Sequence, residues 1–135
     1  MATRGERIAA AARALVGAPF RLHGRSETTG VDCIGLIVLA LEKAGCTAEG
    51  IAPSAYSARG GSAGAFADGL RAAGLRRVRR ERTGDVLLVR AGVAQWHLMI
   101  AVPGGHVHAD AGLGRVVEMP GGSPWPTESR WRWGA

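Results

Sequence analysis

The sequence predicts an α+β fold in which a buried helix packs on an antiparallel sheet, and three observations predict it. Residues 4–73 hold helical patterns, the chain from Arg76 onward breaks into short β-type runs separated by Gly and Pro, and helices precede strands instead of alternating with them. A length of 135 residues allows one core, because a chain of roughly 150 residues buries about two-thirds of its unfolded surface, so residues 1–135 are expected to form a single domain.

Composition narrows the class. A hydrophobic fraction of 47% with 21% charged residues excludes a disordered or fibrous chain. The net charge is +6 and Lys43 is the only lysine, so the positive surface is almost entirely arginine and suits a polyanion. Nucleic acid, carboxylate-bearing wall peptides and acidic protein partners all meet that description. The first twenty residues interleave Arg4, Glu6, Arg7 and Arg13 with apolar positions, which leaves neither an uncharged signal core nor a spanning run of about 20 residues. Synthesis in the cytoplasm without membrane anchoring is expected.

The elements follow in order. Residues 4–16 place Ile8, Ala11, Ala12, Leu15 and Val16 on one helical face, and Gly17 with Pro19 ends the pattern. After the polar loop RSETTG, the run VDCIGLIVLALEKAG is apolar nearly all round and closes on Lys43 and Gly45, which makes it the central helix. Residues 46–61 read as a connection, and a short helix is expected near Gly64–Ala73. GDVLLVR, WHLMIAV, HVHAD and RVVEMP then read as strands. Cys33 and Cys46, taken as lying on one helix, are separated by about 20 Å of rise, whereas a disulfide tolerates about 7 Å, so both are expected to be thiols.

Cys33 follows Asp32 at the start of the apolar helix, where free backbone N–H groups and the helix dipole favour a thiolate nucleophile. The plainer reading is a small core residue. His97, the lone ionisable group within WHLMIAV, is the candidate general base, or else a hydrogen-bonded structural histidine. A third residue should orient the imidazole. If Gly104 and Gly105 make a two-residue turn, His106, His108 and Asp110 share the face of His97; His108 then stands opposite Ala101, about 13 Å along the strand from His97, and Asp110 opposite Met99 is nearer. The two cysteines and the histidines lack the paired spacing of a metal site, and the glycines form no phosphate loop, so neither metal nor cofactor is expected. The cluster Arg76, Arg77, Arg79, Arg80 and Arg82 reads as a solvated edge strand or loop, with docking to an acidic surface as the functional alternative. Trp125, Trp131 and Trp133 either cap the core or form a contact surface.

These residues carry a resemblance. GAPFRLHGRSETTGVDCIGL resembles the segment around the nucleophile of NlpC-type cell-wall peptidases, GDVLLVR the strand that follows the arginine-rich stretch, WHLMIAV the strand that opens with the catalytic histidine, and HVHAD the strand of the third polar residue. The match spans roughly residues 4–119; each block alone is weak, and their order and spacing are the specific part. The resemblance implies a papain-like NlpC-type fold and hydrolysis of an amide in the peptidoglycan stem peptide. It implies Cys33 as nucleophile, His97 as base and His108 as orienting residue, with Asp110 as the fallback, and it puts Phe20, His23 and Asp32 beside the substrate. Three positions depart from the family pattern: Phe20 stands for a tyrosine, His23 for the first of two glycines, and Ile34 for a serine. The compact size and the tail ESRWRWGA are similar to the stand-alone peptidases encoded with phage tails and gene transfer agents. That likeness implies tail-tip or hub proteins as partners and action in the periplasm after delivery in a particle; no membrane partner is expected from the sequence, and a nucleic-acid partner rests only on the arginine content. The alternative is an inactive adaptor of the same fold.

Overall fold

The computed structural model describes residues 2–47, 62–93 and 95–134. Most of the expected connection, residues 48–61, lies outside the described residues. Among the described residues three helices, α1 (Arg4–Ala14), α2 (Cys33–Lys43) and α3 (Ala63–Ala72), accompany eight strands: β1 (Arg25–Ser26), β2 (Gly30–Val31), β3 (Leu75–Val78), β4 (Val86–Gly92), β5 (Gln95–Val102), β6 (Gly105–Asp110), β7 (Arg115–Pro120) and β8 (Thr127–Trp133). The α+β class read from the sequence is the observed one. β1 and β2 pair in a small hairpin just before α2, and the other six form an antiparallel sheet in the order β3-β8-β4-β5-β6-β7.

Each helix has its stop and start in the sequence. Thr3 and Glu6 close a capping box on α1. Asp32 caps α2, and Ser62 caps α3. α2 ends where Gly45 takes a φ of 83° and the Cys46 N–H returns to the Leu41 carbonyl. Cys46 therefore lies past the helix, not on it, which corrects the spacing argument; both cysteines are buried and in no disulfide all the same.

α1 and α2 cover one face of the sheet. Leu15, Leu36, Ile37 and Leu41 meet Val86, Leu88, Leu98, Ile100, Val107 and Trp131 there, each buried almost completely. A fully buried side chain of this size contributes about 1.5–3 kcal/mol, so this layer supplies most of the folding drive. Gly35 lets α2 come this close to the preceding loop, since a Cβ there would collide with the Gly24 carbonyl oxygen. On the opposite face Leu87, Val89, Met99 and Ala101 form a second, smaller cluster packed against Met119 and Trp125.

Two expectations need correction. ESRWRWGA is not a free tail: its residues 128–133 belong to β8, which lies inside the sheet between β3 and β4, and Trp131 is 1% exposed with its indole N–H on Ser129 Oγ. The β5–β6 turn is centred on Pro103–Gly104, not Gly104–Gly105, because Val102 pairs with Gly105 and Ile100 with Val107. Proline suits the first central position and Gly104, at φ 79°, the second, which is the pattern of a type II turn. The arginine-rich segment does begin as an edge strand, β3, with Arg76, Arg77, Arg79, Arg80 and Arg82 exposed.

Candidate active site

Cys33 is the first residue of α2, and Asp32 fixes the turn that puts it there. The buried Asp32 carboxylate accepts the Gly35 N–H at 2.8 Å and the His23 N–H at 2.8 Å, and it pairs with the Arg25 guanidinium at 3.0 Å. One side chain thus caps the helix, ties down the loop that carries Phe20 and His23, and holds a charge partner. His23 adopts a φ of 62°, the one positive value outside glycine among the described residues. This is the position where the resembled family has glycine, and the left-handed backbone is the physical reason.

His97 lies on β5 opposite Val89, next to the irregular β4–β5 pairing at Arg90–Gly92. Its Nε2 lies 3.0 Å from Nδ1 of His108 on β6. The turn at Pro103–Gly104 makes this contact feasible: it shifts the pairing by two residues and brings His108 to the level of Met99, a diagonal neighbour of His97 that an aromatic ring spans. Asp110 supplies no orienting hydrogen bond; its Oδ1 accepts the Leu113 N–H. The two imidazoles meet edge to face at 5.1 Å, and Trp125 stands edge-on to both, at 5.9 Å from His97 and 5.4 Å from His108.

Electrostatics keep both rings neutral. Burial, reinforced by repulsion from His108 and opposed by Asp110, pushes His97 down to about 4. Burial also lowers His108, with Asp110 opposing and His106 adding to the shift. At neutral pH His97 therefore holds a lone pair for a proton.

Cys33, His97 and His108 line one cleft of about 450 Å³. Phe20, Leu22, Trp96 and Trp125 give it apolar walls, and Asp110 adds a carboxylate. Of the other residues singled out from the sequence, Phe20 is at the cleft, whereas His23 and Asp32 shape the loop behind it. Ile34 points into the core at 2% exposure, so its departure from serine is a packing change. Trp125 as a wall of the histidine pair went unread in the sequence; its signal is a large aromatic fixed between Pro124 and Pro126. Among the described residues no group of three metal-ligating side chains converges.

The fold is that of NlpC/P60 proteins. No protein-family model matches the sequence, and no curated protein matches it. Solved structures do: NlpC1 from Trichomonas vaginalis, at TM-score 0.69 and 16% identity over 98% of this chain and 46% of that one; the P60 domain of an M. avium subspecies paratuberculosis antigen, at TM-score 0.64 and 19% identity over 96% and 93%; and the peptidoglycan hydrolase RipB from Mycobacterium tuberculosis, at TM-score 0.66 and 19% identity over 96% and 64%. The chain thus spans about half of NlpC1 and just under two-thirds of RipB. At these identities the likeness defines the fold.

Proposed function

We propose that this chain is a cysteine peptidase that hydrolyses an amide bond in the peptidoglycan stem peptide. One observation carries the reading: a cysteine at a helix N-terminus and a hydrogen-bonded, neutral histidine pair wall the same cleft. The fold shared with a peptidoglycan hydrolase supports the substrate class.

The chemistry follows from the positions. A base at His97 Nδ1 needs the ring proton on Nε2, and His108 Nδ1 is the acceptor that holds it there. Cys33 then passes its proton to His97 Nδ1, and the sulfur attacks the carbonyl. The Cys33 N–H and the open end of α2 stabilise the oxyanion, where losing one donor typically costs about a hundredfold or more. His97 returns the proton to the leaving amine, and water hydrolyses the thioester.

The finer setting, a component of a phage-like tail that aids wall penetration in the periplasm, rests on the resemblance and on the arginine edge. Arg76, Arg77 and Arg79 have no carboxylate partner among the described residues and suit an acidic hub protein. Among the described residues no helix is long and apolar enough to cross a membrane.

The test is iodoacetamide alkylation of Cys33 at pH 6 in wild type and His97→Ala, with peptide mapping to separate Cys46. Fast labelling that depends on His97, with stem-peptide turnover lost in Cys33→Ala, is the expected result. Slow labelling unchanged by His97→Ala moves the chain to the adaptor reading.

A further inference from the structure

β6 carries a second histidine on the same side as His108. His106, two residues earlier, pairs with Ala101 on one side and Met119 on the other, is 3% exposed, and its Nε2 lies 3.0 Å from Glu81 Oε2. Glu81 itself is on the surface, in the turn between β3 and β4. Among the described residues two buried imidazole nitrogens have no protein partner, His106 Nδ1 and His108 Nε2; the third buried side-chain nitrogen without one, Arg25 Nη2, lies in the Asp32 cluster. A buried imidazole nitrogen left unpaired costs roughly 1–3 kcal/mol when nothing meets it, so the two orphans on neighbouring rings require a common explanation.

We propose that His97, His108, His106 and Glu81 form one hydrogen-bonded line, closed by a single bound water between His108 Nε2 and His106 Nδ1, in which the Glu81 carboxylate sets the tautomer of all three rings. Same-face residues two apart on a strand are about 6.8 Å apart at Cα, and the line requires the two ring nitrogens, leaning toward each other from that spacing, to come within the roughly 5 Å that two hydrogen bonds bent at a water span. The directions agree at every joint. A carboxylate only accepts, so His106 carries its proton on Nε2 and presents a lone pair at Nδ1. Through the water that lone pair takes the His108 Nε2 proton, which leaves His108 Nδ1 as acceptor. His108 Nδ1 then takes the proton of His97 Nε2, and His97 Nδ1 is free to act as base. The repulsion that His106 exerts on His108 is consistent with this proximity. Glu81 and His106 are positioning residues: they touch no substrate and act through His108.

This inference rests on the cysteine-peptidase reading for its purpose but not for its test. With ¹⁵N-labelled imidazoles at pH 7.5, each assigned by single-histidine substitution, the wild-type protein is expected to show the Nε2–H form at His97, His108 and His106. Glu81→Ala is expected to give mixed tautomers at His106 and His108 and to slow Cys33 alkylation about tenfold, the usual cost of losing an outer partner. Glu81→Gln, whose amide oxygen still accepts, is expected to restore both. An Nδ1–H His108 in the wild type, which needs no variant to fold, overturns the proposal, as do unchanged tautomers in a folded Glu81→Ala. Aligned tautomers with an unreactive Cys33 leave the line standing and remove the peptidase reading instead.

Discussion

Two buried polar clusters flank the cleft, and they are built on opposite principles. At the start of α2 the Asp32 carboxylate is paired with Arg25 and met by two backbone N–H groups. Across the cleft burial pushes His97 and His108 down and keeps those two rings neutral, and the ring nitrogens His108 Nε2 and His106 Nδ1 have no protein partner among the described residues. At the start of α2 the chain meets a carboxylate with a guanidinium and two backbone N–H groups; at the histidine pair it buries neutral rings. The first arrangement stabilises the fold, and the second lowers its stability in acid.

The largest effect expected from this difference is on acid stability. The folded chain holds His97 neutral down to about 4, whereas an ordinary histidine takes up a proton near 6.5. Between those values the unfolded chain binds a proton that the folded chain refuses, so each downward step in pH favours unfolding. Above about 6.5 both states are neutral, and below about 4 both are charged. The loss across that window is on the order of 3 kcal/mol, with His108 adding in the same direction. Urea unfolding at pH 7, 5.5 and 4.5 should show this loss in wild type and most of it absent in His97→Ala; parallel curves would refute it.

The Asp32 cluster should respond to mutation. Asp32→Ala removes the cap of α2 and leaves the Arg25 guanidinium, whose Nη2 already lacks a partner, without its carboxylate. A cap is worth about 1 kcal/mol, and an unpaired, partly buried charge adds a similar amount, so a loss of about 2 kcal/mol is expected by denaturant unfolding at pH 7. A smaller third effect falls on reactivity: His108→Ala should slow Cys33 alkylation roughly tenfold or more, because His97 loses the acceptor that fixes its tautomer. An unchanged rate at pH 7 would leave His108 without an orienting role.

Much of this architecture is legible in the residues, because period and punctuation are local. The apolar stripe of α1, the all-round apolar α2 and the runs of β4 to β7 lie where hydrophobic spacing puts them. What is missed depends on partners distant in the chain. β8 alternates Ser129, Trp131 and Trp133 against Glu128, Arg130 and Arg132, a strand signal that arginines and tryptophans at the end of a chain disguise as a tail. The shared face of His97 and His108 follows from strand parity, but their contact depends on a turn placed one residue earlier, and Pro103 is the residue that places it. Cys46 is excluded from α2 by Gly45, a stop already visible in the sequence.

The smallest expected effect tests the loop between the two clusters. His23 sits at φ 62° with its N–H bound to Asp32, so the Asp32 cluster holds the backbone there in the left-handed region. A residue with a Cβ pays roughly 1–2 kcal/mol to enter this region, and glycine avoids that cost while surrendering part of the gain through the greater freedom of its unfolded chain. His23→Gly should therefore raise stability by up to about 1 kcal/mol, read as a higher urea midpoint at unchanged slope. Because His23 lies behind the cleft and not in its wall, Cys33 alkylation should stay at the wild-type rate. A destabilised His23→Gly would mean that the imidazole itself holds the loop, and the Asp32 cluster would then have to be extended to include it.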